Sequence, residues 1–451
     1  MRAPVLKGGA HMKKHLRRTA ALTAALSVSL LTGCGKKAEN PLKDVTAPAF
    51  TRTASKSATE AEAVPVRKPA PVYGSGYRTD PAGNLSTADA VREMGLGISL
   101  GNTFECCGGK LSGSDVRTYE TGWGSPRITQ QMIKGYAAEG FGTLRIPAAW
   151  SNMMLPNNTI HPDYLARVHE VAGWALNAGM YVIINIDRDG GWWSDFADPA
   201  KKDACMQKYA RIWQQIAQEF AGEGGHVWFE SLDSDGCWDE IWQRGRHLAG
   251  KEEAYALLGE INQSFVDTVR HAGSGNLRRH LLIAGYADDL AYTCDPLFVM
   301  PEDPQNRCAV SVHYDAPQEF TVLEADTPQR QARSNWGTSA DRVDLQERFD
   351  LLAARFSAEG VPVIISDFGC TQMNKEPDSV RDYLASVCTE ASARGFCPVL
   401  WDTAGGFYDR KLHRMPDRLL HDALLGTPED TESGRAQPQS TTVRRRPQPD
   451  P

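Results

Sequence analysis

Short apolar runs rich in β-branched residues recur between residues 90 and 425, each followed by a polar loop and then a stretch whose hydrophobic residues return every three or four positions. The runs are Gly97 to Asn102, Thr143 to Pro147, Tyr181 to Ile186, His226 to Leu232, His280 to Tyr286, Cys308 to Tyr314, Val361 to Gly369 and Phe396 to Asp402. They are apolar throughout rather than alternating, as a strand covered on both faces requires. Between them, Pro162 opens a helix that carries Leu165, Val168 and Ala172 and stops at Gly179. Met206, Tyr209, Trp213, Ile216 and Phe220 make the apolar stripe of another. Eight such units predict an α/β fold, a (β/α)8 TIM barrel, as a single domain over residues 81–426. A doubly wound open sheet is the structural alternative, but no Gly-rich phosphate fingerprint follows a strand.

The two ends read differently. Lys13, Lys14, Arg17 and Arg18 precede an apolar stretch from Ala20 to Leu31, which makes residues 1–33 a secretory signal too short to span a bilayer as a mature helix. It ends Leu31-Thr32-Gly33-Cys34, which resembles a bacterial lipobox. That resemblance implies cleavage before Cys34, lipidation of its thiol and a lipoprotein held to a membrane of the cell envelope. Residues 34–80 are rich in Ala, Pro, Thr, Lys and Glu without apolar period and predict a flexible tether. The tail over 427–451, with Arg444-Arg445-Arg446 among prolines, predicts a second disordered segment.

Composition narrows the partners. Of 451 residues, 49 are basic and 56 acidic, a formal charge of -7 that lacks the basic excess of a nucleic-acid binder. No cofactor motif is present, and the chain is expected to be a monomer. Setting Cys34 aside leaves nine of the ten cysteines, an odd number. Export permits disulfides. Cys106 or Cys107 with Cys237 or Cys370, Cys294 with Cys308, and Cys388 with Cys397 are the plausible pairs.

In barrels of this kind chemistry sits where strands end. Those positions carry Asn102, Arg145, Asp187, Asp189, Asp233, Asp235, His313, Asp367 and Asp402. Of the 11 tryptophans, Trp123, Trp150, Trp192, Trp193, Trp238, Trp242, Trp336 and Trp401 also lie at or beyond strand ends. Indole faces suit the C–H faces of pyranose rings and the polar groups suit hydroxyls, so a carbohydrate cleft is expected.

Residues 90 to 415 resemble glycoside hydrolase family 5, the endoglucanase-type cellulases. The resemblance is carried in order by Gly101-Asn102-Thr103, Glu120-Thr121-Gly122-Trp123-Gly124, Arg145-Ile146-Pro147, Tyr181-Val182-Ile183-Ile184-Asn185, Phe229-Glu230, Ser311-Val312-His313 and Leu400-Trp401-Asp402. It implies a retaining mechanism with two carboxyl groups, a proton donor ending the fourth strand and a nucleophile in the seventh. Two departures stand out. The family's Asn-Glu pair is Asp233-Ser234, and its nucleophilic Glu is Asp367. The family's His-His after the third strand is Asp187-Arg188, and its Tyr two residues beyond His313 aligns with Asp315.

Asp367, Ser234, Asp233, His313 and Arg145 thus occupy the catalytic positions, while Asn102, Trp123, Asp187, Trp192, Trp193, Asp235, Trp336 and Trp401 are candidate sugar contacts. Groups that shape the cleft persist and groups that cut are altered. The expectation is a pseudo-hydrolase that holds a β-linked glycan. One alternative is a rewired hydrolase in which a rim Asp replaces the donor, and another is an interaction scaffold with a vestigial cleft. A Ca²⁺ or Mg²⁺ site from Asp187, Asp189, Asp233, Asp235, Asp367 and His313 lacks any EF-hand spacing, so no metal is expected. Glu230, three positions before Asp233, is expected to face away from it by strand alternation.

Overall fold

A computed structural model of the chain describes residues 82–108, 111–233 and 250–425. The signal, Cys34, the tether, the tail, and Ser234, Asp235, Cys237, Trp238 and Trp242 lie outside the described residues.

All eight predicted strands form. They are β1 (Gly97–Ser99), β2 (Thr143–Ile146), β3 (Tyr181–Ile184), β4 (Val227–Glu230), β5 (Leu281–Asp289), β6 (Cys308–Tyr314), β7 (Val363–Phe368) and β8 (Cys397–Leu400). Each pairs in parallel with its neighbours in sequence, and β1 pairs with β8, closing the barrel. A short antiparallel hairpin of Met154–Leu155 and Thr159–Ile160 follows β2.

Helix α1 (Thr87–Met94), capped by Ser86, precedes β1. Its Ala90, Val91 and Met94 meet Tyr181, Ile183, Trp228, Leu282, Ala309, Ile364, Cys397 and Val399 in one buried cluster that plugs the N-terminal end of the barrel. The outer helices are α2 (Gln130–Glu139), α3 (Pro162–Asn177), α4 (Lys202–Glu219), α5 (Lys251–His271), α6 (Ser339–Arg355), α7 (Pro377–Ala393) and α8 (Arg418–Leu425). The stripe on α4 is buried as expected, with Tyr209, Trp213 and Ile216 at 0% exposure. No helix among the described residues is long and apolar enough to cross a membrane.

One unit departs from the pattern. Only a single helical turn, Leu290–Thr293, follows β5. Pro296, Pro301 and Pro304 in the next segment each remove a helix donor and keep the crossover irregular.

The expected disulfides do not form among the described residues. Cys294 follows the C-terminal end of β5 whereas Cys308 begins the parallel strand β6, which puts the two toward opposite ends of the barrel. Cys397 points into the barrel, its thiol donating to the Gly95 carbonyl at 3.2 Å, while Cys388 packs in the layer outside. Cys106, Cys107 and Cys370 remain thiols, and burial pushes that of Cys370 up to about 12.

On the outer layer His169 of α3 sits between two carboxylates, Nδ1 at 2.7 Å from Glu219 and Nε2 at 3.0 Å from Glu223. The bond to Glu223, with Glu219 adding and burial opposing, raises its pKa above the ordinary 6.5. A raised folded-state pKa contributes stability that is complete below the unfolded value and lost as pH climbs through the folded one. His169→Gln is therefore expected to lower the melting temperature more at pH 5.5 than at pH 8.5. Equal deficits at both would show that only packing is lost.

Candidate active-site cleft

The floor of the cleft is a polar layer inside the C-terminal half of the barrel. Arg145, at 0% exposure, projects inward from β2. Its Nε donates to Glu230 at 2.7 Å and its Nη2 to Asp233. Burial works against the guanidinium's charge, but the two carboxylates beside it hold its pKa well above the ordinary value. Asn185 at the end of β3 donates to Glu230 at 3.2 Å and to Asp233 at 3.3 Å. Glu230 and Asp233 therefore share one side, contrary to the alternation argument. The chain leaves the strand at Glu230, so the two-residue parity no longer applies three positions later.

A bulge positions Asp367. On β6 the partners step from Val312 to His313 while β7 steps from Ile365 to Asp367. On β8 they step from Pro398 to Leu400 while β7 runs from Ile365 to Phe368. One extra residue in β7 on both sides re-aims the chain there. Ser366 is fully buried, its hydroxyl 2.6 Å from that of Ser311, which in turn donates to Glu230 at 2.6 Å. Asp367 is only partly covered. Burial holds its carboxyl well above the ordinary range; Arg145 opposes this, whereas Asp233, Asp315 and Glu230 add to it. Asp315 is exposed and accepts from Gln318 at 2.9 Å.

The turn after β3 carries Asp187, Arg188 and Asp189, followed by Gly190 and Gly191. Arg188 to Gly191 all have positive φ, between 39° and 75°. Asp189 holds this turn, accepting from Trp192 Nε1 at 2.6 Å and from the Ser151 hydroxyl at 3.1 Å. Burial raises its pKa to about 6. Asp187 is buried and its backbone N–H donates to the Ala148 carbonyl. The exposed Arg188 stands over the half-buried Trp123, 5.4 Å from the ring centre, and Lys208 stands 4.4 Å over Trp192.

The tryptophans divide by burial. Trp123, Trp192 and Trp401 are partly open. Trp401 lies across the end of β1, where a Cβ on Gly101 would come within 2.9 Å of its ring and 2.7 Å of the Asp402 carbonyl. Only glycine fits there. Next to it Asn102 adopts φ 58°, a conformation asparagine tolerates, and its N–H donates to Glu105. Trp193 and Trp336 are 7% and 5% exposed, Trp336 edge-on to Tyr383 at 5.4 Å. Neither offers a free face to a sugar, and Trp150, at 0%, is core.

His313 projects from β6 with 16% of its side chain exposed, and its Nε2 is 3.9 Å from both Asp233 and Asp288. Asp288 is fully buried and was not among the expected site residues. The apolar run of β5 ends at Tyr286 in the sequence, and the Asp288-Asp289 pair just beyond it is the one mark of this site there.

Against this geometry, the cellulase family, glycosyl hydrolase family 5, matches residues 107–406. The chain belongs to that family. Among its relatives, it is 32% identical over 348 residues to endoglucanase A of Paenibacillus barcinonensis, covering 71% of this chain and 83% of the relative. It is 30% identical to endoglucanase B of Ruminococcus albus, covering 86% and 88% respectively. Among solved family 5 structures, a broad-specificity endoglucanase from an uncultured bovine rumen ciliate superposes with TM-score 0.69 at 31% identity, over 76% of this chain and 98% of that one. A Caldicellulosiruptor lichenase solved with cellotetraose gives TM-score 0.69 at 30% identity, over 80% and 99%.

Proposed function

We propose that this family 5 barrel is an envelope lipoprotein, anchored through Cys34, that binds a β-linked glycan and has lost most or all hydrolysis. The observation that carries the reading is the setting of Asp367, a short carboxyl on the bulged β7 with Arg145, Asp233, Asp315 and Glu230 acting on it. A retaining nucleophile must be an anion at the anomeric carbon. Here burial and three neighbouring carboxylates push the pKa of the nucleophile-position carboxyl well above the ordinary range, against Arg145, and so disfavour the anion. Its side chain is also one methylene short of Glu, and a misplacement of about 1 Å costs on the order of a hundredfold. At the donor position Ser234 has no proton to give near neutral pH, which removes a further ~10²–10⁴.

Two of the rim aspartates, Asp233 and Asp189, are poor replacements for that donor. Asp233 is engaged by Arg145 and Asn185, which both donate to its Oδ2. Asp189 is an acceptor for Trp192 and Ser151, committed to the turn. What supports a glycan ligand is the partial exposure of Trp123, Trp192 and Trp401, the first two with a cation over the ring, together with family 5 structures solved with cellotriose and cellotetraose.

The test mixes the purified protein with cello-oligosaccharides, mannan and aryl β-glycosides, recording binding by calorimetry and release of products by chromatography. Saturable binding of a β-glucan oligosaccharide without product is expected. Turnover within about tenfold of an ordinary enzyme, roughly 10 s⁻¹, would overturn the reading.

A further inference from the structure

The end of β5 is built abnormally. Ala284 pairs with Ser311 and Asp289 with His313, so a step of two residues on β6 spans five on β5. The looped-out residues include Ala287 and Asp288, at φ 55° and 46°, a left-handed conformation that residues other than glycine rarely adopt. The loop is seated tightly, since a Cβ on Gly285 would lie 2.1 Å from the Thr293 hydroxyl. Its effect is to deliver Asp288 into the barrel. One carboxyl oxygen, Oδ1, accepts from the Gly285 N–H at 3.1 Å. The other, Oδ2, has no hydrogen-bond partner among the described residues, and neither has His313 Nε2, 3.9 Å away. Strained backbone and unsatisfied buried polar atoms at a cleft call for a functional explanation.

We infer that Asp288 and His313 share one proton and that Asp288 is a positioning residue fixing which state His313 presents to a ligand in the cleft. Transfer breaks the O–H bond at Asp288 Oδ2 and forms an N–H bond at His313 Nε2. It leaves a carboxylate and an imidazolium, with no change in net charge. The gap is under 1 Å longer than a hydrogen bond, so a small rotation of the ring closes it. A rotation the other way brings Nε2 to Asp233, also at 3.9 Å. The location of the proton thus decides whether the imidazole meets Asp233 and a sugar hydroxyl as donor or acceptor. Asp288 is fully buried, and 16% of the His313 side chain opens to the cleft. Burial raises the Asp288 carboxyl well above its ordinary range, Asp233 and Glu230 adding to this and Arg145 opposing it. Burial lowers His313, as does Arg145, while Asp233, Glu230 and Asp315 oppose. Asp367 pairs with His313 in register from the other side.

The role in ligand binding rests on the glycan reading; the shared proton does not, and the experiment separates the two. The imidazole nitrogens of His313 are followed by ¹⁵N NMR from pH 4 to 10 in the wild type and in Asp288→Asn, without ligand. In the wild type, Nε2 is expected to resonate between its protonated and bare values at neutral pH and to move through an alkaline transition as the shared proton is lost. Asp288→Asn is expected to abolish that transition. A wild-type ring with a bare Nε2 at neutral pH, or one titrating alone near 6.5, would overturn the inference even if the variant fails to fold. In a second arm, the affinity for cellotetraose is measured across the same range. A wild-type affinity change that follows the alkaline transition and disappears in Asp288→Asn supports the positioning role. A pH dependence identical in both proteins overturns it. If no glycan binds at any pH while the titration behaves as expected, the glycan reading fails and the proton-sharing pair stands.

Discussion

Ser234→Glu combined with Asp367→Glu is expected to raise hydrolysis of a soluble β-1,4-glucan by at least about a hundredfold over the unmodified protein, with each single change giving far less. Bond scission by the retaining route needs both groups at once, so their effects are strongly non-additive. Restoring the acid recovers about 10²–10⁴ and restoring the reach of the nucleophile about 10² more. The surroundings, Asp187, Arg188, Asp233 and Asp315, set how much of this is realised. Initial rates with polymer and with an aryl cellobioside separate the two contributions, because a good leaving group needs little acid assistance. An unmodified protein as fast as the double variant would remove the ground for an inert cleft.

The second large effect is on stability. Arg145→Met is expected to cost about 3–5 kcal/mol, the penalty for leaving buried carboxylates without their cation. That is a substantial part of the 5–15 kcal/mol that typically holds a domain together. Glu230 and Asp233 both depend on this guanidinium, and Asp367 feels it as well. Adding Glu230→Gln to Arg145→Met is expected to return part of the loss, since one uncompensated charge goes with it. Urea midpoints of the two single variants and the double variant form the cycle that measures this coupling. Additive losses would mean that Arg145 contributes mainly by filling space.

The strands were legible because each is covered on both faces and therefore apolar along its length, a signal that needs no knowledge of its neighbours. Features that depend on the third dimension were not. Glu230 was placed by a two-residue period that ends with the strand itself. Asp288 is hard to place because Ala287 and Asp288, not glycine or asparagine, take the left-handed turns of the loop, so the Asp288-Asp289 pair reads as an ordinary polar strand end. Trp193 and Trp336 stand near strand ends like Trp401, but sequence position does not say whether an indole faces the cleft or the core. The cysteine pairs failed for the same reason: Cys388 and Cys397 are close along the chain and are divided by the wall of the barrel.

One small contact reaches further than its size suggests. The Ser311 hydroxyl gives its only hydrogen to the Glu230 carboxylate, so Ser366 has to be the donor between the two serines. Their dipoles consequently point head to tail across the interior, from the seventh strand to the fourth. The pleat beneath Asp367 and the anchor of Arg145 are thus ends of a single directed chain, and a substitution at Ser366 would register at Glu230 without touching it.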